Sequence, residues 1–298
     1  KGPVAIRYPR GGEGTYKADS GRDNLVVLRE GSDVTIVANG VEIREALAAA
    51  DALAADGVRF TRAYCPFPLS GPCRASLVTG RMPFEVGAFD NAIRPNDADM
   101  RAGIGHRLAE AGYECLYAGK WHVPEVNLPD SGTGFRRISK MDDPALADAC
   151  DAALREYDGS KPLFLVASLL NPHEICEYGR NETLQYGELA PFSTDECPNL
   201  PANFMPSTYA AEALTLEHAS SPRYHDTYTY TQDDWRRYLY AYYRLVERVD
   251  REVGRIVGVL KARGLYDDSA IIFLSATASP PTAGTRNGTC RRRSSTCR

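Results

Sequence analysis

Ser70-Gly71-Pro72-Cys73-Arg74-Ala75-Ser76-Leu77-Val78-Thr79-Gly80-Arg81 is the stretch on which the reading of this chain turns. A serine ahead of glycine and proline sits in a turn, and taken alone Ser70 reads as a helix-capping serine. Arg74 taken alone reads as a solvated helix residue. It also lies four residues after Ser70, which on a helix returns it to the same face. Two cysteines, Cys65 and Cys73, stand on either side of the serine.

Working outward, the chain has 298 residues, enough for one large domain or two ordinary ones. Hydrophobic residues make up 43% and charged residues 25%, so a real core can be buried. The formal net charge of −4 supplies no global basic field, and no nucleic-acid partner is expected. The longest apolar run, residues 162–170, is about half of a membrane span, and no membrane partner is expected either. Eight cysteines contain no C-x-x-C pair and no zinc-ligand spacing, which leaves the redox compartment open. The chain opens at Lys1 with no apolar signal segment, so no localisation is read from it.

Three stretches differ in character. Within residues 1–57, Val34-Thr35-Ile36-Val37-Ala38 is a buried-strand run closed by the turn pair Asn39-Gly40. A helix is predicted from Glu42 to Ala55, with Leu47 and Leu53 inward and Gly57 as its stop. Within residues 58–275, residues 163–169 predict a buried strand and residues 232–262 a long helix. That helix opens on Thr231-Gln232-Asp233-Asp234, a capping-box-like signal, and stops at Gly264. Trp235, Leu239, Tyr242, Val246, Val249, Val253, Ile256 and Leu260 form its apolar stripe. A strand is predicted over residues 269–275. Strands alternating with helices argue for an α/β layer architecture. Residues 276–298 are rich in Ser, Thr, Pro, Gly and Arg and read as a basic disordered tail.

The first stretch resembles the start of the C-terminal domain of the transketolase superfamily, 1-deoxyxylulose-5-phosphate synthases in particular. The residues carrying this are Gly2-Pro3-Val4-Ala5-Ile6-Arg7-Tyr8-Pro9-Arg10-Gly11 and Glu30-Gly31-Ser32-Asp33-Val34-Thr35-Ile36-Val37-Ala38-Asn39-Gly40. In that family thiamine diphosphate and the catalytic residues belong to earlier domains, so no thiamine diphosphate is expected here.

The opening stretch around Ser70 looks like the sulfatase signature: Ser or Cys, any residue, Pro, any residue, Arg, then a helix ending in Thr-Gly. The approach Gly57 to Cys65 (Gly-Val-Arg-Phe-Thr-Arg-Ala-Tyr-Cys) matches it as well. So do Lys120-Trp121-His122, Asn171-Pro172-His173 and the long helix with its following strand. Several motifs in family order, over residues 58–275, make the resemblance specific. It implies an alkaline-phosphatase-like α/β sandwich with a mostly parallel central sheet, here incomplete and preceded by the transketolase-like β/α segment. The implied domains are residues 1–57, a partial sulfatase catalytic domain over 58–275, and the tail 276–298.

The resemblance also implies chemistry. Sulfatases oxidise the signature residue to formylglycine, whose hydrate attacks sulfur and later expels sulfate, a release route ordinary serine lacks. The register assigns that modification to Ser70, in the serine-type, oxygen-independent manner that needs a dedicated maturase. The motif places the residue where a loop enters a helix, a position that favours an anion. Resemblance gives Arg74 the tasks of holding the diol and neutralising charge, and Lys120 a sulfate oxygen. It gives His122 a contact to the diol, and His173 the leaving oxygen or the sulfate. The implied substrate is a sulfated small molecule or glycan. Asn171 to Tyr178 with Leu200 to Phe204 is similar to carbohydrate-directed bacterial sulfatases.

Calcium is the family's usual cation, and a hard dication needs about six oxygen ligands, mostly from carboxylates. Where the family carries two acidic ligands after its first strand, this chain has Ala38, Asn39 and Gly40. Where an Asp-His type pair follows the late strand, it has Ala276, Thr277 and Ala278. Ser70, once oxidised, is the one metal ligand left, so the calcium site is expected to be incomplete and the chain inactive or nearly so. Back-translated, residues 287–296 admit a neighbouring reading frame similar to sulfatase sequence, which makes the tail either out-of-frame or a disordered basic segment and the chain a chimera. Two rivals stand beside this reading: a transketolase-superfamily fragment acting as a structural or dimer-contact module, and a binding protein using the arginine-rich tail. His106, His218 and His225 match no motif and read as structural or exposed. The tyrosine-rich run from Tyr224 to Tyr243 reads as packing along the helix.

Overall fold

The computed structural model describes residues 25–27, 48–60, 65–67, 69–93, 95–123, 132–201, 204, 212, 216 and 227–274. The chain divides into two units, residues 1–172 with 246–279 and residues 173–245 with 280–298.

The first unit is built on β3 (Glu114–Gly119), which pairs in parallel with β5 (Leu163–Ser168) on one side and β4 (Arg136–Arg137) on the other. Register runs from Glu114 opposite Leu163 to Gly119 opposite Ser168, so the two longer strands end level. Cys115, Leu116, Tyr117 and Ala118 are all buried, the continuous run expected of a parallel strand covered on both faces. Alternation then sorts the side chains. Cys115, Tyr117, Phe164 and Val166 join Ala75 and Val78 of α2 (Ser70–Thr79), Met100 of α3 (Asp97–Arg101) and Leu108 of α4 (Ile104–Glu110). Ala118, Leu165 and Ala167 join Leu146 and Cys150 of α5 (Leu146–Glu156). Helices on both faces of a parallel sheet make this the predicted α/β sandwich. A separate antiparallel pair, β1 (Leu25–Val27) with β2 (Val58–Phe60), flanks α1 (Ala48–Ala55) in sequence.

The long helix α7 (Gln232–Ala262) has the predicted bounds. Its residues from 246 onward belong to the first unit, where Arg255 pairs with Asp148 at 2.6 Å and Arg263 with Asp151 at 2.7 Å. Gly264, at φ 67°, ends it with its N–H on the Lys261 carbonyl. The predicted strand over residues 269–275 is not formed where the chain is described, residues 269–274. Ile271 and Phe273 pack instead against Leu53, Val249 and Val253. An apolar run gives the segment something to bury, but a strand needs a neighbour's ladder of hydrogen bonds, which local pattern does not encode. The predicted strand over residues 34–38, helix residues 42–47 and the tail 276–298 lie outside the described residues. So do His218 and His225.

In the second unit, α6 (Ile175–Gly179) follows the cis peptide Asn171–Pro172, and a short 3-10 turn, Thr194–Glu196, is closed by a Ser193/Glu196 capping box. The start of α7 is capped as predicted, with Asp234 N–H donating to Thr231 Oγ1 (3.2 Å) and Thr231 N–H to the Asp234 carboxylate (2.8 Å). The tyrosine-rich run packs edge-on: Trp235 stands 5.1 Å from Tyr230 and 5.5 Å from Tyr238. Arg236 donates to the carbonyls of Cys197 (2.7 Å) and Pro198 (3.1 Å), holding the 3-10 turn to the helix.

Gly119 is the tightest point of the first unit. Its φ is 87°, and a Cβ there would meet the Ser168 carbonyl oxygen at 2.1 Å. Gly119→Ala is expected to destabilise the chain by about 2 to 4 kcal/mol, summing left-handed strain and overpacking, measured as a fall in the urea midpoint at constant slope.

Candidate functional site

Ser70 does not cap α2. The N-cap is Leu69, extended at φ −123° and ψ 143° with no side-chain cap, and Ser70 is the first helical residue. Its hydroxyl instead meets His122, with Oγ 2.6 Å from Nδ1. The next backbone N–H, at Gly71, donates to Asn91 Oδ1 at 2.8 Å, and at the far end Gly80 takes a left-handed φ of 69° with its N–H on the Ser76 carbonyl. Glycine, proline and cysteine in the first turn keep that end slim, and Ser70 is only 8% exposed.

Arg74 is not solvated either. It is 9% exposed, and one terminal nitrogen donates both to the Lys120 carbonyl and to Ser168 Oγ, each at 2.8 Å. Tyr117 donates its hydroxyl to the same Lys120 carbonyl at 2.8 Å. Among the described residues no carboxylate pairs with Arg74, and its buried Nε has no hydrogen-bond partner. Burial lowers its pKa from the ordinary arginine value, with Tyr117 and Cys73 acting the other way. An arginine starts so far above neutral that it keeps its charge.

The segment after β3 doubles back between two left-handed residues, Gly119 at φ 87° and His122 at φ 47°. For histidine that conformation costs on the order of 1–2 kcal/mol, a strain held here by the packing of Trp121 against Tyr117 and Phe135. It places the imidazole at Ser70 and leaves its outer face open to solvent. Protein crowding on the inner side, then the positive charges of Lys120 and Arg74, push the His122 pKa down to about 4. The ring is therefore neutral at pH 7 and can share one proton with the Ser70 hydroxyl. Lys120, 4% exposed, takes part in the fold through its backbone as well, its N–H reaching the Ser168 carbonyl at 2.7 Å.

The structure thus brings together Ser70, Arg74, Lys120 and His122, while His173 falls in the second unit just ahead of α6, its carbonyl accepting from Cys176 N–H at 3.0 Å. His106 pairs with Glu110 at 3.3 Å on a half-exposed helix face, as a structural residue would. Three contributors escape the sequence reading. Ser168 had one usable signal, its place at the end of a predicted strand, where α/β sites gather. Tyr117 and Asn91 had none, because their hydrogen-bond partners are 3 and 20 residues away along a path that only folding sets.

Two buried or nearly buried cations beside a hydroxyl at a helix start make a site for an anion. Among the described residues no group of three or more His, Cys, Asp or Glu side chains stands together, and the positions at which the resemblance expects calcium ligands, residues 38–40 and 276–278, lie outside them.

A family model described as Sulfatase matches residues 18–276. A Delta 4,5-hexuronate-2-O-sulfatase of Bacteroides thetaiotaomicron is 26% identical over 252 residues, which cover 76% of this chain and 50% of that protein. An ulvan-active sulfatase of Formosa agariphila is 27% identical over 236 residues, 76% of this chain and 44% of its own length. The chain therefore spans about half the length of these relatives. Among solved structures, a 2-O GAG sulfatase aligns with TM-score 0.64 at 21% identity, over 87% of this chain and 62% of that one. A phosphonate monoester hydrolase of Agrobacterium radiobacter aligns with TM-score 0.55 at 18% identity, over 80% and 61%. These neighbours bear out the alkaline-phosphatase-like sulfatase fold, here with a small parallel sheet that is not closed. The family match begins at residue 18, inside the stretch read as transketolase-like, and that resemblance and the chimera drawn from it are left without support.

The depressed His122 pKa has a sign. The unfolded chain takes up a proton near the ordinary value of 6.5, and the folded chain only near 4. His122 thus contributes stability that is complete above about pH 6.5 and is lost as pH falls toward 4. In a proton NMR titration its ring resonances should move with a midpoint near 4, and in Lys120→Met that midpoint should rise toward the ordinary value. A midpoint near 6.5 in the unaltered protein would contradict the arrangement.

Proposed function

Because the chain belongs to the sulfatase family, we propose that it is the core of a sulfuric ester hydrolase for sulfated carbohydrates, with Ser70 as the residue that carries the nucleophile. One observation carries the reading above the others: Arg74 is a buried guanidinium with neutral hydrogen-bond acceptors and no carboxylate among the described residues, beside a hydroxyl at a helix start. Burying a cation this way costs free energy unless an anion completes the site. A sulfate group has the charge, the oxygens and the size to do so.

Each residue then has a task. Arg74 and Lys120 neutralise the sulfate oxygens and draw charge from sulfur as the ester bond breaks. His122, neutral at working pH, holds the proton at Ser70 Oγ and fixes the direction of that oxygen. Formylglycine at Ser70, made by a maturase, supplies the hydrated aldehyde from which sulfate is readily expelled. For His173 the family order alone supports a role, at the leaving oxygen or at the sulfate. The carbohydrate assignment rests on the hexuronate and ulvan sulfatases among the relatives. Since Ala276-Thr277-Ala278 offers no carboxylate where the resemblance expects the late calcium ligands, we hold the chain as it stands to bind the anion and to turn over little or no ester.

Inorganic sulfate titrated calorimetrically should bind the full chain, and Arg74→Met should weaken it by about 10- to 100-fold, the worth of one charge-assisted hydrogen bond. Absence of binding to the unaltered chain sinks the proposal. Co-expression with a serine-type maturase should remove two hydrogens from Ser70, seen by peptide mass spectrometry; an unchanged serine argues against the nucleophile. Turnover of an aryl sulfate in added calcium that disappears in Ser70→Ala would overturn the assignment of inactivity.

A further inference from the structure

The sulfurs of Cys65 and Cys73 lie 3.3 Å apart, one on each side of Ser70, and no disulfide joins them. From this contact we infer a modification site: Cys65 and Cys73 close a disulfide around the Ser70 turn by exchange with a small-molecule disulfide of the glutathione type. At this separation no atom fits between the two sulfurs, and a bond of about 2.05 Å is a short movement away.

The surroundings assign the order of events. Cys65 is partly exposed and sits in the approach to Ser70, where a dissolved disulfide can reach it. Cys73 is 5% exposed, on the first turn of α2, with the Arg74 cation close enough to interact with it. The Cys65 thiolate attacks one sulfur of the oxidant, forming a mixed disulfide and releasing one small thiol. The Cys73 thiolate then attacks the Cys65 sulfur, and the second small thiol departs. Two electrons and two protons leave the cysteines and appear in the two released thiols. Cys150 illustrates the contrast: it is fully buried, and its thiol is pushed up to about 11, where little thiolate exists.

The bridge closes a short ring through Gly71 and Pro72, so the backbone that carries the Ser70 hydroxyl loses freedom on oxidation and regains it on reduction. Nothing in this step involves sulfate or the proposed hydrolysis, and it holds or fails apart from them.

Trypsin cuts after Arg62 and Arg74, so one peptide, residues 63–74, carries both cysteines together with Ser70. The full chain would be treated with oxidised glutathione, alkylated and digested without reductant. The expected product is this peptide free of alkyl groups and two hydrogens lighter, with both changes reversed by dithiothreitol. Oxidation of Ser70 also removes two hydrogens but resists dithiothreitol and leaves both cysteines open to alkylation, so the two modifications are told apart. In Cys73→Ser the first step should stop at a stable glutathione adduct on Cys65. Alkylation of both cysteines in the oxidised protein, or a glutathione adduct on Cys65 with Cys73 alkylated, overturns the inference.

Discussion

The arginine that reaches from α2 across the ends of two parallel strands is the tie on which the site depends. Its guanidinium donates to the Lys120 carbonyl, which follows β3, and to the Ser168 hydroxyl, which ends β5. Because the strands end level, one terminal nitrogen can serve both. The same contact settles where α2 begins relative to the sheet, and so where the Ser70 hydroxyl stands. Tyr117 adds a second donor to the Lys120 carbonyl from within β3, which makes that carbonyl a hub between α2 and β3.

A hub of this kind has an electrostatic consequence. Neutral acceptors satisfy the geometry of a guanidinium without cancelling its charge, so the field of Arg74 persists into the space around Ser70. Burial of the inner side of His122 first, then the charges of Lys120 and Arg74, keep its ring neutral well below the usual imidazole range. Such a site is organised in advance for an incoming anion: its dipoles and cations are already aimed, and the strain needed to aim them sits in the backbone at His122.

Fold alone does not choose the reaction. A phosphonate monoester hydrolase shares this architecture at TM-score 0.55, and a 2-O GAG sulfatase shares it at 0.64, both at identities that speak of backbone and not of chemistry. What separates sulfatase from other readings is the family match over residues 18–276 and the particular residues grouped at the start of α2.

Much of this was legible in the linear chain. The turn-to-helix stretch at Ser70, the bounds and caps of α7 and the span of β5 are local: spacing, caps and glycine stops act within a few residues, and these elements stand where they were predicted, although β5 is half-buried where the run predicts a buried strand. Four of the site residues could be named in advance because they lie in short motifs whose order along the chain is informative. Tertiary structure alone decided that Ser70 faces a histidine rather than capping its helix, that Arg74 is buried rather than solvated, and that residues 269–274 pack without joining a ladder. The reason is common to all three: a hydroxyl, a cation or an extended segment has several possible partners of similar strength, and which one it meets depends on elements distant along the chain. Ser70 and His122 are separated by 52 residues and Arg74 and Ser168 by 94, distances over which only the packed sheet, and no local pattern, can bring groups together.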